Sequence, residues 1–223
     1  MGRVVASTVG YVALFGAFLL VPAPTPIPAR AWVLLLALAA SRLSASLVIH
    51  HVNPSILKAR GKPPVQLGQP LIDRVLLLSF MTTFALLVSV ASADGLRFHR
   101  LGVVPQPLSF LGLALFVAGW WLAGYAALSN AFALTVIRHQ DGQVVVTTGP
   151  YRLVRHPIYL GGVLVMIGES LWLRSVLALA AALVPTAILG VRIVFEERFL
   201  TQHTSDYASY VARVRYRLLP FVW

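Results

Sequence analysis

The sequence predicts an all-α, polytopic integral membrane protein. About six transmembrane helices are expected, with a C-terminal helical hairpin and a cytosolic C-terminal helix. Three observations carry this. Of 223 residues, 58% are hydrophobic and 11% charged, with a mean hydropathy of +0.81; soluble domains carry about 25% charged residues. The apolar residues gather into runs of about 20, the length a helix needs to cross hydrocarbon. Most basic residues fall between the runs, and most of those lie in the loops of one side.

Taken in order, Val4 to Val21 is an apolar run behind Arg3. Ala29-Arg30-Ala31 has the spacing of a signal-peptidase site, but the run is long for a signal core and a proline-rich linker follows it, so a retained first span is preferred. Ala31 to Ile49 is the second span and carries Arg42 among serines. The segment His50 to Arg74 is too polar and too rich in proline to cross. Val75 to Ala93 and Pro107 to Leu128 are the third and fourth spans. Pro157 to Leu173 and Ser175 to Phe195 are the last two, split only by Arg174, and a turn that tight implies an antiparallel hairpin. Pro185 kinks the final span because it removes a backbone donor. The chain thus divides into an N-terminal transmembrane bundle, 1–128, with a cytosolic loop at 50–74, and a region 129–223. The latter holds a loop, the hairpin 157–195, a helix and a tail.

The N-terminus, 50–74, 130–156 and the tail after 196 hold twelve Lys and Arg residues, against four on the opposite side. This predicts a multi-pass protein with both termini cytosolic. The net charge of +11 is then that of an inner-leaflet surface facing membrane lipids, and no nucleic-acid partner is expected. The absence of cysteine excludes disulfides, thiolate nucleophiles and cysteine metal sites. No His, Asp or Glu spacing suggests a metal site. Nothing in the sequence fixes an oligomeric state.

Outside the spans, Glu196 to Val214 reads as a helix continuing out of the membrane, with Phe199, Leu200, Tyr207, Tyr210, Val211 and Val214 on one face. The tail Arg213 to Pro220 alternates cationic and bulky residues and suits either an anchor at anionic head groups or a lid over a site. Gln143 to Thr148 is a β-branched run entering a turn at Gly149-Pro150.

Polar chemistry concentrates in two clusters. The first is Gly149 to Gly162, with Tyr151, Arg155, His156, Pro157, Ile158 and Tyr159. Pro157 fits a first helical turn, which puts His156 at the helix entrance. Gly161 and Gly162 leave a flank open to a helix or a ligand. Alone, the cluster suits an interfacial aromatic belt equally well. The second cluster is Arg192, Glu196 and Glu197. Arg192 and Glu196 stand four apart and share a helix face, as an ion pair would. A charge next to a long apolar run usually marks a site. A hairpin brings the end of the last span beside the start of the one before it, so His156 and Glu196 become neighbours. Asp73-Arg74 reads as a helix-end pair. Arg42 can line a lipid cavity, snorkel, or pair with Glu169.

The run Gly149-Pro150-Tyr151…Arg155-His156-Pro157-Ile158-Tyr159…Gly161, followed by Arg192…Glu196-Glu197…Leu200 and Tyr207…Tyr210, resembles the isoprenylcysteine carboxyl methyltransferase family. That family belongs to a wider group of integral-membrane methyltransferases that includes phospholipid N-methyltransferases. The resemblance is firm over about 130–220. It extends loosely to Asn53-Pro54, Asp73-Arg74 and Asn130, and with the ending Arg213 to Trp223 it looks like bacterial members of a cytoplasmic membrane.

The resemblance implies S-adenosylmethionine bound at the cytosolic face and a lipophilic acceptor, a small molecule or a lipidated chain, arriving from the bilayer. Carried over by position, Gln143, Val144, Val145, Val146, Tyr151, His156, Pro157, Ile158, Tyr159 and Glu196 match cofactor contacts, and Arg192 matches an acceptor-binding residue. Arg192, Arg155 and Tyr159 are the catalytic candidates. Bacterial relatives usually have glutamine where Arg138 stands, so Gln140 or Arg138 takes that contact here. Carboxyl O-methylation of an isoprenylcysteine-like or other lipid carboxylate is the expected reaction. Lipid N-methylation or a membrane reductase on the same scaffold, and a non-catalytic transporter or assembly subunit, are the alternatives.

Overall fold

The computed structural model describes residues 2–137 and 142–223; Arg138 and Gln140, and with them the question of which replaces the glutamine, lie outside these residues. Nine α-helices make up the described fold: α1 (Gly2–Leu20), α2 (Ala29–Val52), α3 (Pro54–Arg60), α4 (Leu71–Ala93), α5 (Gln106–Ser129), α6 (Pro157–Trp172), α7 (Val176–Ala181), α8 (Leu183–His203) and α9 (Tyr207–Arg213). Prolines set most of the starts. Pro28, Pro70 and Pro105 sit just before α2, α4 and α5, and Pro54 and Pro157 occupy first turns, where a missing N–H is harmless.

Four helical stretches are long and apolar enough to cross a membrane: Ala29–Val52, Leu71–Phe98, Gln106–Ser129 and Val176–His203. Val5–Leu20 and Pro157–Trp172 are apolar but shorter. The expected six apolar segments are therefore present, and α6, at 16 residues, is short for a full crossing.

The helices pack in the order α6, α5, α2, α1, α4, α8. Phe15, Leu34, Leu38, Leu87, Phe116, Met166, Leu189 and Ile193 fill the interior. The closest approach is between α5 and α6. A Cβ on Gly161 would lie 2.6 Å from the Gly119 carbonyl oxygen, and one on Gly112 2.5 Å from the Leu171 Cβ. Gly112 and Gly119 on α5, and Gly161 and Gly168 on α6, each stand two turns apart, so the backbones meet along one seam of small residues. The hairpin expectation holds for the path of the chain and is refined in its packing. The chain does reverse at Leu173 to Ser175, but α6 takes α5 as its intimate partner, while α8 lies along α4.

The reversal is fastened by side-chain hydrogen bonds at its turn. Arg174 Nε donates to the Val104 carbonyl at 2.7 Å, and Ser175 Oγ donates to Asp94 Oδ2 at 2.6 Å. Beyond it the last span is broken between α7 and α8 at Ala182. Pro185 explains the break, because its ring excludes the carbonyl four residues earlier.

The helix expected over Glu196 to Val214 is two helices. α8 ends at His203, and Asp206, with φ of 64°, turns the chain into α9. The turn swings Tyr207, Tyr210 and Val214 against Tyr151 and Ala126. Phe199 lies apart from that face, stacked on His203 at 4.2 Å. Gln143 to Thr148 forms no strand. The tail is neither a free anchor nor a lid: Tyr216 and Arg217 carbonyls accept from the Arg155 and His156 N–H groups, both at 2.9 Å.

Candidate active site

One cavity, about 100 Å³, lies where α6, α8 and α9 converge with the segments 130–134 and 143–146. Gln143, Val144, Val145, Val146, Tyr151, His156, Pro157, Ile158, Tyr159 and Glu196 all line it, as does Arg155. Arg192 does not, but its guanidinium stands 5.6 Å from the Tyr159 ring centre.

The start of α6 forms one wall. The His156 and Tyr159 rings stack at 5.5 Å and 7°. The Tyr159 hydroxyl donates to Glu196 Oε2 at 2.6 Å, joining α6 to α8 across the cavity. No side chain caps α6. The His156 N–H donates to the Arg217 carbonyl in the tail, which leaves the later first-turn N–H groups beside the cavity.

Glu197 points away from the cavity into a cluster of cations. Arg155 Nε reaches its Oε1 at 2.7 Å, Arg217 Nε its Oε2 at 2.8 Å, and His156 Nε2 stands 3.2 Å from Oε1. Arg155 Nη1 also donates to the Val214 and Arg215 carbonyls at 2.7 and 3.0 Å. So Arg155 holds α6, α8 and the tail in register, with its Nε and Nη1 engaged by protein acceptors. In this position it acts on the site through others.

Arg192 is 4% exposed and does not pair with Glu196. Its Nε donates to Asp73 Oδ1 at 2.8 Å, and its Nη2 to the Thr135 carbonyl at 2.6 Å. Asp73 is thus not Arg74's helix-end partner. It was missed as part of the site because nothing local marks it, its partner lying on a helix far along the chain. Arg42 and Glu169 form no ion pair either: the Arg42 guanidinium lies over the Tyr11 ring at 3.9 Å, and Glu169 is fully buried with both oxygens unpartnered.

The remaining wall is aromatic and aliphatic. Tyr207 and Tyr210 meet at 5.8 Å, and the Tyr210 hydroxyl donates to the Tyr151 carbonyl at 2.9 Å. Burial pushes the Tyr210 hydroxyl up to about 12, with Arg155 opposing and Glu197 adding to the shift; burial likewise raises Tyr207. Both are neutral hydrogen-bonding groups at physiological pH. Gln143 Oε1 and Thr204 Oγ1 are buried on this cavity without partners. Unsatisfied buried polar atoms beside an apolar wall suit a ligand with its own polar groups. Among the described residues no cluster of His, Asp and Glu is placed to hold a metal ion.

Comparison with known proteins assigns this architecture. The family profile described as PEMT, phospholipid methyltransferase, matches residues 108–206, which cover α5 to the end of α8 and most of the cavity. Architecture and match together define the class, a polytopic membrane protein of the methyltransferase kind. A probable protein-S-isoprenylcysteine O-methyltransferase of Oryza sativa subsp. indica is 31% identical over 186 residues, 80% of this chain and 94% of the rice protein. The chain belongs to the protein-S-isoprenylcysteine O-methyltransferase family. Protein-S-isoprenylcysteine O-methyltransferase A of Arabidopsis thaliana is 28% identical over 183 residues, 77% of this chain and 90% of that one. The cobalt-zinc-cadmium resistance protein CzcN of Cupriavidus metallidurans is 35% identical over 136 residues, 52% of this chain. That match spans 61% of CzcN, less than two thirds of its length.

Proposed function

We propose that the protein is an S-adenosylmethionine-dependent methyltransferase acting on a carboxylate of a lipophilic acceptor, isoprenylcysteine-like or another lipid acid, at the cytosolic membrane face. The observation that carries this reading is the Tyr159–Glu196 contact at 2.6 Å, set on a cavity whose buried Gln143 and Thr204 oxygens lack partners. In this reading 129–223 supplies the cofactor site and 1–128 holds it in the membrane. The charge asymmetry of the loops puts both termini on the cytosolic side.

The residues fit the cofactor's three polar features. Glu196 accepts from Tyr159 through one oxygen and keeps the other for an ammonium. The first-turn N–H groups of α6 favour a carboxylate. Tyrosine faces favour a sulfonium, and Val144 to Val146 offer apolar and backbone contacts to a nucleoside. When bound, S-adenosylmethionine supplies a methyl carbon that bonds to the acceptor oxygen as the carbon–sulfur bond breaks and its electron pair stays on sulfur. An acceptor carboxylate is ionised at neutral pH, so the chain need provide no general base. Its residues align the reactants and exclude water. Arg192 has Nε and Nη2 engaged, which leaves Nη1 to orient the acceptor by a single charge-assisted bond.

The test is incubation of purified protein with methyl-labelled S-adenosylmethionine and total membrane lipid. Label released as methanol by alkali identifies a methyl ester. Alkali-stable label on an amine would instead support N-methylation, the second reading, which the phospholipid methyltransferase match over 108–206 favours. Absence of both label transfer and calorimetric binding of S-adenosylmethionine would overturn the enzyme reading.

A further inference from the structure

A second cavity, about 800 Å³ and larger than the candidate active site, lies between α1, α2, α3 and α5. Its membrane-side lining includes Arg42, Tyr11 and Trp120, and its opposite lip carries the exposed Lys58 and Lys62. Leu14, 57% exposed, forms an apolar edge.

Donors without acceptors characterise its inner end. Arg42 Nε and Trp120 Nε1 are both buried and have no hydrogen-bond partner. The Arg42 guanidinium lies 3.9 Å from the Tyr11 ring centre and 5.3 Å from that of Trp120, so the two orphaned donors are neighbours. Stacking on rings offsets part of the desolvation of a cation, but it satisfies neither N–H. Two buried donors left unmade are unfavourable in a membrane protein, and a ligand bearing anionic oxygens would satisfy both. Glu169, the acid buried in α6, neither pairs with Arg42 nor lines this cavity.

Chemistry and position together select the ligand. The cationic lip and floor favour a negative group. Arg42 stands about three turns before the end of α2, whose last residues are His50 to Val52, about 15 Å from that end by helical rise. The Arg42 guanidinium, stacked on the mid-helix rings of Tyr11 and Trp120, lies below the head-group boundary, and the cavity connects it to the lip at Lys58 and Lys62. Hydrocarbon can leave the cavity past Leu14 into the bilayer.

We propose that this cavity binds one acidic lipid, whose anionic oxygens accept from Arg42 and Trp120 and whose charge is drawn in by Lys58 and Lys62. The proposal does not depend on the methyl-transfer reading.

The full chain in detergent, stripped of lipid and given equimolar phosphatidylglycerol and phosphatidylcholine, should retain one phosphatidylglycerol by native mass spectrometry. A charge-assisted bond to a buried donor corresponds to about tenfold or more in affinity. Arg42→Gln should lose retention by about that factor. Lys58→Gln/Lys62→Gln, altered only at the exposed lip, should weaken it by a smaller factor, and this variant carries the test if Arg42→Gln fails to fold. Equal retention of the two lipids, or retention unchanged in the lip variant and in folded Arg42→Gln, would overturn the proposal. Competition by millimolar glycerol phosphate as effective as by lipid would also overturn it, because the site would then be one for free anions.

Discussion

Arg192 and Asp73, 119 residues apart in the chain, meet Nε to Oδ1 at 2.8 Å with both side chains buried. The other Asp73 oxygen accepts from Gln69 Nε2 at 2.7 Å and from the Ile137 N–H at 2.9 Å. Arg192 in turn holds the Thr135 carbonyl. One acid and one base thus fix α4, α8 and the segment that leads from α5 to the cavity, tying the N-terminal bundle to the site.

Removing one member of such a pair leaves the other charged, buried and unpaired, at a cost of about 3–5 kcal/mol. Asp73→Asn should therefore lower the thermal unfolding temperature and abolish most turnover. Asp73→Leu/Arg192→Met should recover much of the stability without the turnover. An Asp73→Asn protein with unchanged unfolding would show that the pair carries little.

The adjacent glutamates should separate. Glu196→Gln should weaken S-adenosylmethionine binding by about tenfold or more, through loss of a charge-assisted contact, while thermal stability stays near that of the parent. Glu197→Gln should do the reverse, because it strips the acceptor from Arg155, His156 and Arg217. Calorimetry and thermal unfolding on the two variants check this; equal effects on binding would reassign the ammonium partner.

The α5–α6 seam should tolerate no added atoms. A Cβ at Gly161 would stand 2.6 Å from a backbone oxygen, whereas one at Gly190 would have Trp223 at 3.8 Å as its nearest neighbour. Gly161→Ala should destabilise by about 1–3 kcal/mol. Gly190→Ala should be neutral or slightly stabilising. Thermal unfolding of the pair, measured in one detergent, decides it.

Tyr210 gives a pH signature. Its hydroxyl is raised from the ordinary value of 10.0 to about 12, so the folded state disfavours the phenolate more than the unfolded chain does. Its contribution to stability is complete below pH 10 and is lost as pH rises toward 12. The unfolding temperature should fall over that window, and Tyr210→Phe should fall less steeply, although it starts lower for want of the bond to the Tyr151 carbonyl.

Much of the architecture was legible because apolar runs and proline boundaries are local signals. The juxtaposition of His156, Tyr159 and Glu196 was legible as well, since a tight reversal at Arg174 dictates it. What escaped was every polar contact between distant segments. Arg192 and Glu196 satisfy helical spacing, yet each found a better partner, Asp73 and Tyr159, on another helix. The break at Asp206 also escaped, because the apolar spacing continues across it and only the positive φ betrays the turn.

The two sides of the candidate active site are built from different materials. α6 is fused to α5 along its glycines, so that jamb cannot swing. α8, α9 and the tail are latched to it by Tyr159–Glu196 and by the cations around Glu197. Any widening of the cavity is therefore easier on the latched side than along the glycine seam. Because Arg155 and Glu197 are buried, salt should screen that contact little, and the half-exposed Arg217 is the part of the latch that solvent can reach.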